Sequence, residues 1–265
     1  MKVRAKKRYG QHFLEPAWAE KLVDAIAPAA DERFVEIGPG PGALTLRLAP
    51  RVAHLTAIEL DADMVTALSP RVPPNVTLLH ADFLEIDLAT IGAEQPLRVV
   101  GNLPYNVSSP ILFRLLAAHR TRGGIRDATL MLQREVADRL TASAGTAEYG
   151  VLSILIQMHA DVRRVLALPP GAFRPAPKVR SAVVSLRFRA PAVVVADERG
   201  LEAMVRMMFM QRRKTLLNAL SAYAAFRRVQ PRAALDAAGI DPRRRPETLQ
   251  LTELARLADY FASAG

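Results

Sequence analysis

The segment Gly101-Asn102-Leu103-Pro104-Tyr105 sets an amide, a rigid imino acid and an aromatic ring directly after a strand-like run at 98–100. That combination suits chemistry on an amino group conjugated to an aromatic base. Such a nitrogen is a poor nucleophile because its lone pair is delocalised into the ring. Two acceptors gripping its two N–H bonds favour a tetrahedral nitrogen and localise that pair. The side-chain oxygen of Asn102 is one candidate acceptor, and the Leu103 carbonyl, aimed by the ring of Pro104, is the other. Tyr105 can stack on a base that has left its own stack. No strong general base is required, since the amine can lose its proton after a methyl group arrives, and alignment for in-line attack becomes the main task. The simpler alternative is a turn, with Asn-x-Pro as ordinary turn chemistry and Tyr105 as packing.

A second constellation lies upstream. VEIGPGPGAL (35–44) places glycines at 38, 40 and 42 between a strand-like run and a helical stretch. Glycine allows tight turning and close approach to a ligand, and the following helix offers unpaired N–H groups. Glu59, at the end of the next strand-like run, can accept both hydroxyls of an adenosine ribose. Asp82 ends the run after that, where it can meet an adenine amino group, with Phe83 against the base face. All three positions fall where open α/β sheets bind ligands. The loop therefore argues for an adenosine-containing cofactor. Gly38-x-Gly40-x-x-Ala43 with Glu59 also fits the dinucleotide fingerprint, so the loop leaves NAD and S-adenosylmethionine both open, beside a purely structural turn. Hydride transfer has no use for residues 102–105, whereas methyl transfer to an amine does.

The elements that must position these groups are legible as alternation. FVEI (34–37), HLTAIEL (54–60), NVTLLHAD (75–82), LRVVGN (97–102) and ATLMLQ (128–133) read as strands. Between them lie helical stretches such as DADMVTALSPRV, with Asp61 as N-cap, and SPILFRLLAAH (109–119), with Pro110 in its first turn. This predicts βαβ units and a parallel sheet covered by helices. EVADRLTAS and YGVLSILIQMH look helical. ADVRRVLALP and SAVVSLRFRA then read as an antiparallel pair at one edge, flanking a Pro-rich loop. APAVVVAD (190–197) reads as a linker, and from about 199 the chain looks helical, with Pro231 and Pro246 opening helices and Gly239 closing one. The expected organisation is a catalytic domain over 1–190 and a small helical domain over 199–265.

Composition bounds the function classes. The chain has 265 residues, half of them hydrophobic, with a net charge of +10. It has enough material for one large or two modest globular domains. No apolar run reaches membrane-spanning length, and the basic N-terminus lacks an apolar signal core, so the chain reads as unprocessed and cytoplasmic. It contains no Cys, and His12, His54, His80, His119 and His159 never fall at metal-ligand spacing, so no metal site is expected. The basic excess is located. Residues 1–14 carry five basic residues and no acid, and residues 204–245 carry ten basic residues against Asp236 and Asp241. Two basic segments suggest a polyanionic partner such as nucleic acid.

Taken together, RYGQHFL (8–14), VEIGPGPGALT (35–45), AIELD (57–61), HADFL (80–84), GNLPYNVSSP (101–110), LQREVADR (132–139), PPGAFRPAPKVRSAV (169–183) and FMQRRKTLLNAL (209–220) resemble the ribosomal RNA adenine dimethyltransferases of the KsgA/Dim type over nearly the whole chain. The resemblance implies a Rossmann-like class I methyltransferase sheet with a C-terminal helical domain, and S-adenosylmethionine as methyl donor. It places His12 and Leu14 by the methionine end of the cofactor, although many members have Asn where His12 stands. Gly38, beside Gly40, would pack under the cofactor, Glu59 would hold the ribose, Asp82 the adenine, and Asn102 would meet the target amine. Phe173 would stack on the target base opposite Tyr105, the alternative being a loop anchor in the core. The implied substrate is a pair of adjacent adenosines in a terminal hairpin loop of 16S ribosomal RNA in an immature small subunit, met by a monomer. The basic segments, with Lys6, Lys7 and Arg8 at one end and Arg212, Arg213 and Lys214 at the other, would contact phosphates. Rival readings are a large-subunit RNA adenine methyltransferase of the antibiotic-resistance type, an NAD-dependent oxidoreductase and a ribosome-assembly factor that chiefly binds.

Overall fold

A computed structural model describes residue 6 and residues 11–91, 96–122 and 124–264. Its strands are β1 (Phe13–Leu14), β2 (Arg33–Ile37), β3 (His54–Glu59), β4 (Val76–His80), β5 (Leu97–Asn102), β6 (Ile125–Gln133), β7 (Ala160–Leu168), β8 (Phe173–Arg174) and β9 (Ser181–Phe188). The α-helices are α1 (Pro16–Ile26), α2 (Thr45–Leu48), α3 (Ala62–Leu68), α4 (Ser108–Arg122), α5 (Arg134–Leu140), α6 (Val151–His159), α7 (Glu198–Met210), α8 (Leu216–Ala219), α9 (Ser221–Phe226), α10 (Pro231–Ala237) and α11 (Leu251–Ala264). None is long and apolar enough to cross a membrane among the described residues.

Contacts divide the chain into two units: the described residues up to Ala137 with Asp161–Arg189, and Asp138–Ala160 with the residues from Ala190 onward. The first unit is built on a seven-stranded sheet of order β4-β3-β2-β5-β6-β9-β7. The strands from β4 to β6 run parallel, and β9 is antiparallel to β6. Thus β9 and β7 extend one edge, as the two late apolar runs predict. β2 and β5 are buried almost throughout, which is why they read as continuous apolar runs rather than alternating ones.

The order of strands reverses between β2 and β5. The chain leaves β2 towards β3 and β4 on one side, then returns to β5 and β6 on the other. Such a switch point opens a crevice beyond the carboxyl ends of the two central strands. Their approach is close: a Cβ on Gly101 would lie 2.7 Å from the Ile37 carbonyl oxygen, so only glycine fits there. At the other end of β5, Arg98 is almost fully buried. Its guanidinium donates to Glu32 at 2.7 Å, to Asp127 at 3.0 Å and to the Ile26 carbonyl at 3.0 Å, and lies 4.9 Å from the Phe34 ring centre. A short separate sheet pairs β1 with β8, Phe13 opposite Arg174 and Leu14 opposite Phe173.

The second unit is helical and differs from the sequence reading in three ways. A boundary near 190 leaves α6 in the first domain, yet contacts group it with the C-terminal helices. α6 buries Ser153, Ile154, Leu155, Ile156, Met158 and His159, and a helix apolar on most sides belongs in a core. The stretch from 201 to 226 is not one helix. α7 ends at Met210, residues 211–215 turn, and the first N–H groups of α8 are taken by distant carbonyls, Leu216 by Arg244 at 2.7 Å and Leu217 by Pro242 at 3.2 Å. Pro246 opens a 3₁₀ turn rather than a helix, whereas Pro231 does begin α10 and Gly239, at φ +68°, follows its end.

Burial alone would push the Glu32 carboxyl up, but the Ala29 N–H and the guanidinium groups of Arg98 and Arg126 together hold it below its ordinary value. Replacing Arg98 with Met leaves Glu32 and Asp127 to the more exposed Arg126, and urea unfolding at neutral pH is expected to show a loss of about 2 kcal/mol, the scale of a lost hydrogen bond to charged groups. The Glu32 contribution is present above its unfolded pKa and lost as pH falls through the carboxylate range, so the gap between wild type and variant should narrow on acidification. A gap unchanged between neutrality and about pH 4 would contradict this role.

Candidate active site

The loop after β2 turns through three glycines in the left-handed region, Gly38 at φ +66°, Gly40 at +54° and Gly42 at +87°. Gly38 N–H donates to the Ile58 carbonyl at 2.9 Å, which ties the loop to the end of β3. One residue further on β3, the Glu59 carboxylate is gripped on both oxygens. Gly40 N–H donates to Oε2 and Asp61 N–H to Oε1, each at 2.9 Å. Glu59 is buried, and burial pushes its carboxyl up against the opposing effect of those N–H groups. Each oxygen keeps a lone pair for a further donor.

Glu36, in the middle of the buried run of β2, was not anticipated as a site residue. Its carboxyl also lines the cleft, and burial, with the Glu59 charge adding, pushes it up to about 7 despite the opposing influence of Thr45. Among the described residues its Oε2 has no hydrogen-bond partner. The available signal was an acid inside an otherwise apolar strand just before the glycine loop, since such a position tolerates a charge only for a reason.

After β4, Asp82 Oδ1 accepts the Leu84 N–H at 2.8 Å, fixing a turn that buries Phe83 against the cleft. After β5, the Asn102 amide nitrogen donates to the His12 carbonyl at 2.6 Å. This bond commits the nitrogen to the wall and leaves the amide oxygen as the presented end. Leu103 N–H bonds the Met131 carbonyl at 3.2 Å, and the Val107 N–H bonds the Pro104 carbonyl at 3.2 Å, so the tetrapeptide is held at both ends. The Tyr105 hydroxyl lies 3.0 Å from Ser181 Oγ. Its ring stacks with His12 at 5.6 Å between centres.

Residues 11–14 lie along the same cleft. Leu14 is buried, and the His12 ring nitrogen Nδ1 is 2.7 Å from the Pro175 carbonyl oxygen. His12, Leu14, Gly38, Gly40, Glu59, Asp82, Phe83 and Asn102 to Tyr105 therefore share one concavity of about 1170 Å³, open solvent included.

Phe173 is the expected site residue that the structure does not bring in. It is 2 % exposed and packs in the core with Leu14, Leu22 and Val183, because β8 pairs with β1 and turns the ring inward. It anchors its loop. Lys6 is likewise engaged within the chain, 2.7 Å from Asp61 and 2.6 Å from Asp63, and its backbone N–H bonds Gln11. Its charge is thus matched within the chain by two carboxylates. Lys7 and Arg8 lie outside the described residues. In the helical unit, Arg212 donates to the Thr146 carbonyl at 3.2 Å, whereas Arg213 and Lys214 are exposed on the turn after α7. Among the described residues no group of three or more His, Asp or Glu side chains gathers to hold a metal.

Known proteins match the chain over almost its whole length. The family model for ribosomal RNA adenine dimethylase matches residues 2–263. A protein of Aromatoleum aromaticum named ribosomal RNA small subunit methyltransferase A is 45% identical over 263 residues, covering 98% of this chain and 95% of its own. A protein of the same name from Bordetella petrii is 44% identical over 265 residues, covering 99% and 97%. Among solved structures, a dimethyladenosine transferase from Plasmodium falciparum shares the fold, with a TM-score of 0.79 at 22% identity, over 96% of this chain and 98% of its own. The 23S rRNA methyltransferase ErmE reaches a TM-score of 0.67 at 28% identity, over 94% and 99%. By the extent of the family match and the identity of these relatives, the chain belongs to the ribosomal RNA adenine dimethylase family.

Proposed function

We propose that this protein transfers methyl groups from S-adenosylmethionine to the exocyclic amino groups of two adjacent adenosines in a terminal hairpin loop of small-subunit ribosomal RNA, two to each. The observation that carries the reading is the fixed amide of Asn102. Its nitrogen is bound to the His12 carbonyl, so its oxygen is offered as an acceptor at the carboxyl end of β5, beside the glycine loop. The full-length identity to the small-subunit enzymes, tail included, favours small-subunit RNA over the large-subunit substrate named for ErmE.

The cleft fits the cofactor on its own chemistry. Glu59 has a spare lone pair on each oxygen for the ribose hydroxyls, its other lone pairs being held by Gly40 and Asp61. Asp82 uses Oδ1 on Leu84 and keeps Oδ2 for an adenine amino group, with Phe83 as the apolar wall. Gly38 and Gly40 let the backbone approach closely, and His12 and Leu14 stand at the other side of the cleft. When bound, S-adenosylmethionine supplies an electrophilic sulfonium methyl. The protein orients the nucleophile. Asn102 Oδ1 and the Leu103 carbonyl accept the two N–H bonds of the target amine, and Tyr105, tethered through Ser181, supports the extruded base. The proton leaves the nitrogen after the new bond has formed, so no strong base is needed at the amine.

Asn102→Ala should reduce single-turnover methyl transfer by about 100-fold or more, the scale of losing one preorganised hydrogen bond to a reacting group. Calorimetry should place its cofactor affinity within a few-fold of wild type, and transfer at the wild-type rate would remove Asn102 from the role of acceptor. Glu59→Gln should weaken cofactor binding by roughly 10- to 100-fold, as expected for a buried charged hydrogen bond. Unchanged affinity would mean that Glu59 only braces the glycine loop.

A further inference from the structure

The first unit carries a second concavity, of about 680 Å³ with open solvent included, lined by Arg134, Arg164, Arg180, Ser181 and the pair Pro169-Pro170. It lies in a strongly basic stretch that whole-chain averaging conceals. Residues 160–189 hold six Arg and one Lys against a single acid, Asp161, and that acid is paired with Arg189 at 2.7 Å. The Arg180 guanidinium has no hydrogen-bond or ion-pair partner among the described residues, and its side chain is exposed. The walls are fixed. The Arg134 N–H bonds the Arg180 carbonyl at 3.0 Å, and Pro170 begins a 3₁₀ turn that ends at Ala172.

The position of this groove gives it meaning. Ser181 forms part of its wall, and the same Ser181 hydroxyl lies 3.0 Å from the hydroxyl of Tyr105, which lines the cleft. One hydrogen-bonded pair of side chains thus links the wall of this groove to the wall of the cleft. A base extruded into a pocket leaves its own phosphodiester at the rim. Guanidinium groups are suited to that group, since their planar donors match phosphate oxygens. We infer that Arg134, Arg164 and Arg180 form a binding site for the RNA phosphodiester next to the target adenosine. The inference rests on the function proposed above and adds a contact that orients the extruded nucleotide. Arginines on β7 also blunt an edge strand against pairing with other chains, but that role alone has no dependence on a phosphate.

The test is fluorescence anisotropy of the full-length protein with a fluorescein-labelled RNA hairpin that has two adjacent adenosines in its loop. A second RNA carries neutral methylphosphonates at the linkages flanking those adenosines. For Arg164→Gln with Arg180→Gln, the slope of log affinity against log salt should fall in magnitude by about one, and binding should weaken roughly tenfold at moderate salt. Arg180→Gln alone removes no side-chain hydrogen bond or ion pair among the described residues and Arg180 is exposed, so an unchanged thermal unfolding midpoint should accompany its smaller change in slope. The methylphosphonates should weaken wild type and have little further effect on the double variant. An unchanged salt slope, or equal weakening of wild type and variant by the methylphosphonates, would overturn the inference. Failure of the functional reading shows separately, as absence of methyl transfer by wild type, because the binding measurement needs no chemistry.

Discussion

The approach of β5 to β2 at Gly101 is the constraint from which the site follows. A side chain there would collide with the Ile37 carbonyl, and the two strands would have to part at the point where the sheet changes direction. With glycine in place, the loop after β2 and the tetrapeptide after β5 open side by side. Glu59 and Asp82 then follow at or just after the ends of the next two parallel strands. Four consecutive strand ends therefore face one cleft. The buried Arg98 cluster ties β5 to β6, to the end of α1 and to the segment that follows it, so the register that aligns these ends is anchored where no ligand is needed.

A second regularity concerns how each polar group is held. Glu59 is fixed by two backbone N–H groups, Asp82 by one, Asn102 through its nitrogen by the His12 carbonyl, and Tyr105 through its hydroxyl by Ser181. In every case part of the side chain is bound and part remains to be used. Such tethering reduces the entropy lost when a ligand is ordered and spares the site from reorganising during reaction. On the function proposed above, it is what allows methyl transfer to a weak nucleophile to proceed without a strong base.

Much of this was legible in the sequence because it is local. Largely apolar runs of four to eight residues marked the parallel strands, and Gly38, Glu59, Asp82 and Asn102 stood at or just after their ends, where chemistry in an open sheet is expected. What the sequence did not show was set by distant partners. Phe173 is buried because β8 pairs with β1, some 160 residues away in sequence. Lys6 meets acids 55 or more residues downstream, and the break at 211–215 depends on carbonyls of Pro242 and Arg244. Glu36 was hidden inside a strand that reads simply as apolar. The arginines of 160–189 were hidden by a different cause, since acids elsewhere cancel them in any sum over the remainder of the chain.

The central claim is that one cleft joins an adenosine cofactor to an extruded adenine of small-subunit RNA. Its most direct measurement is the mapping of methyl groups after incubating the protein and tritiated S-adenosylmethionine with immature small subunits and, separately, with large-subunit RNA. The account predicts label on the exocyclic nitrogens of two adjacent adenines in a hairpin loop of the small-subunit RNA, with two methyl groups on each at completion. Label confined to large-subunit RNA, or absent from adenine in both, would contradict it.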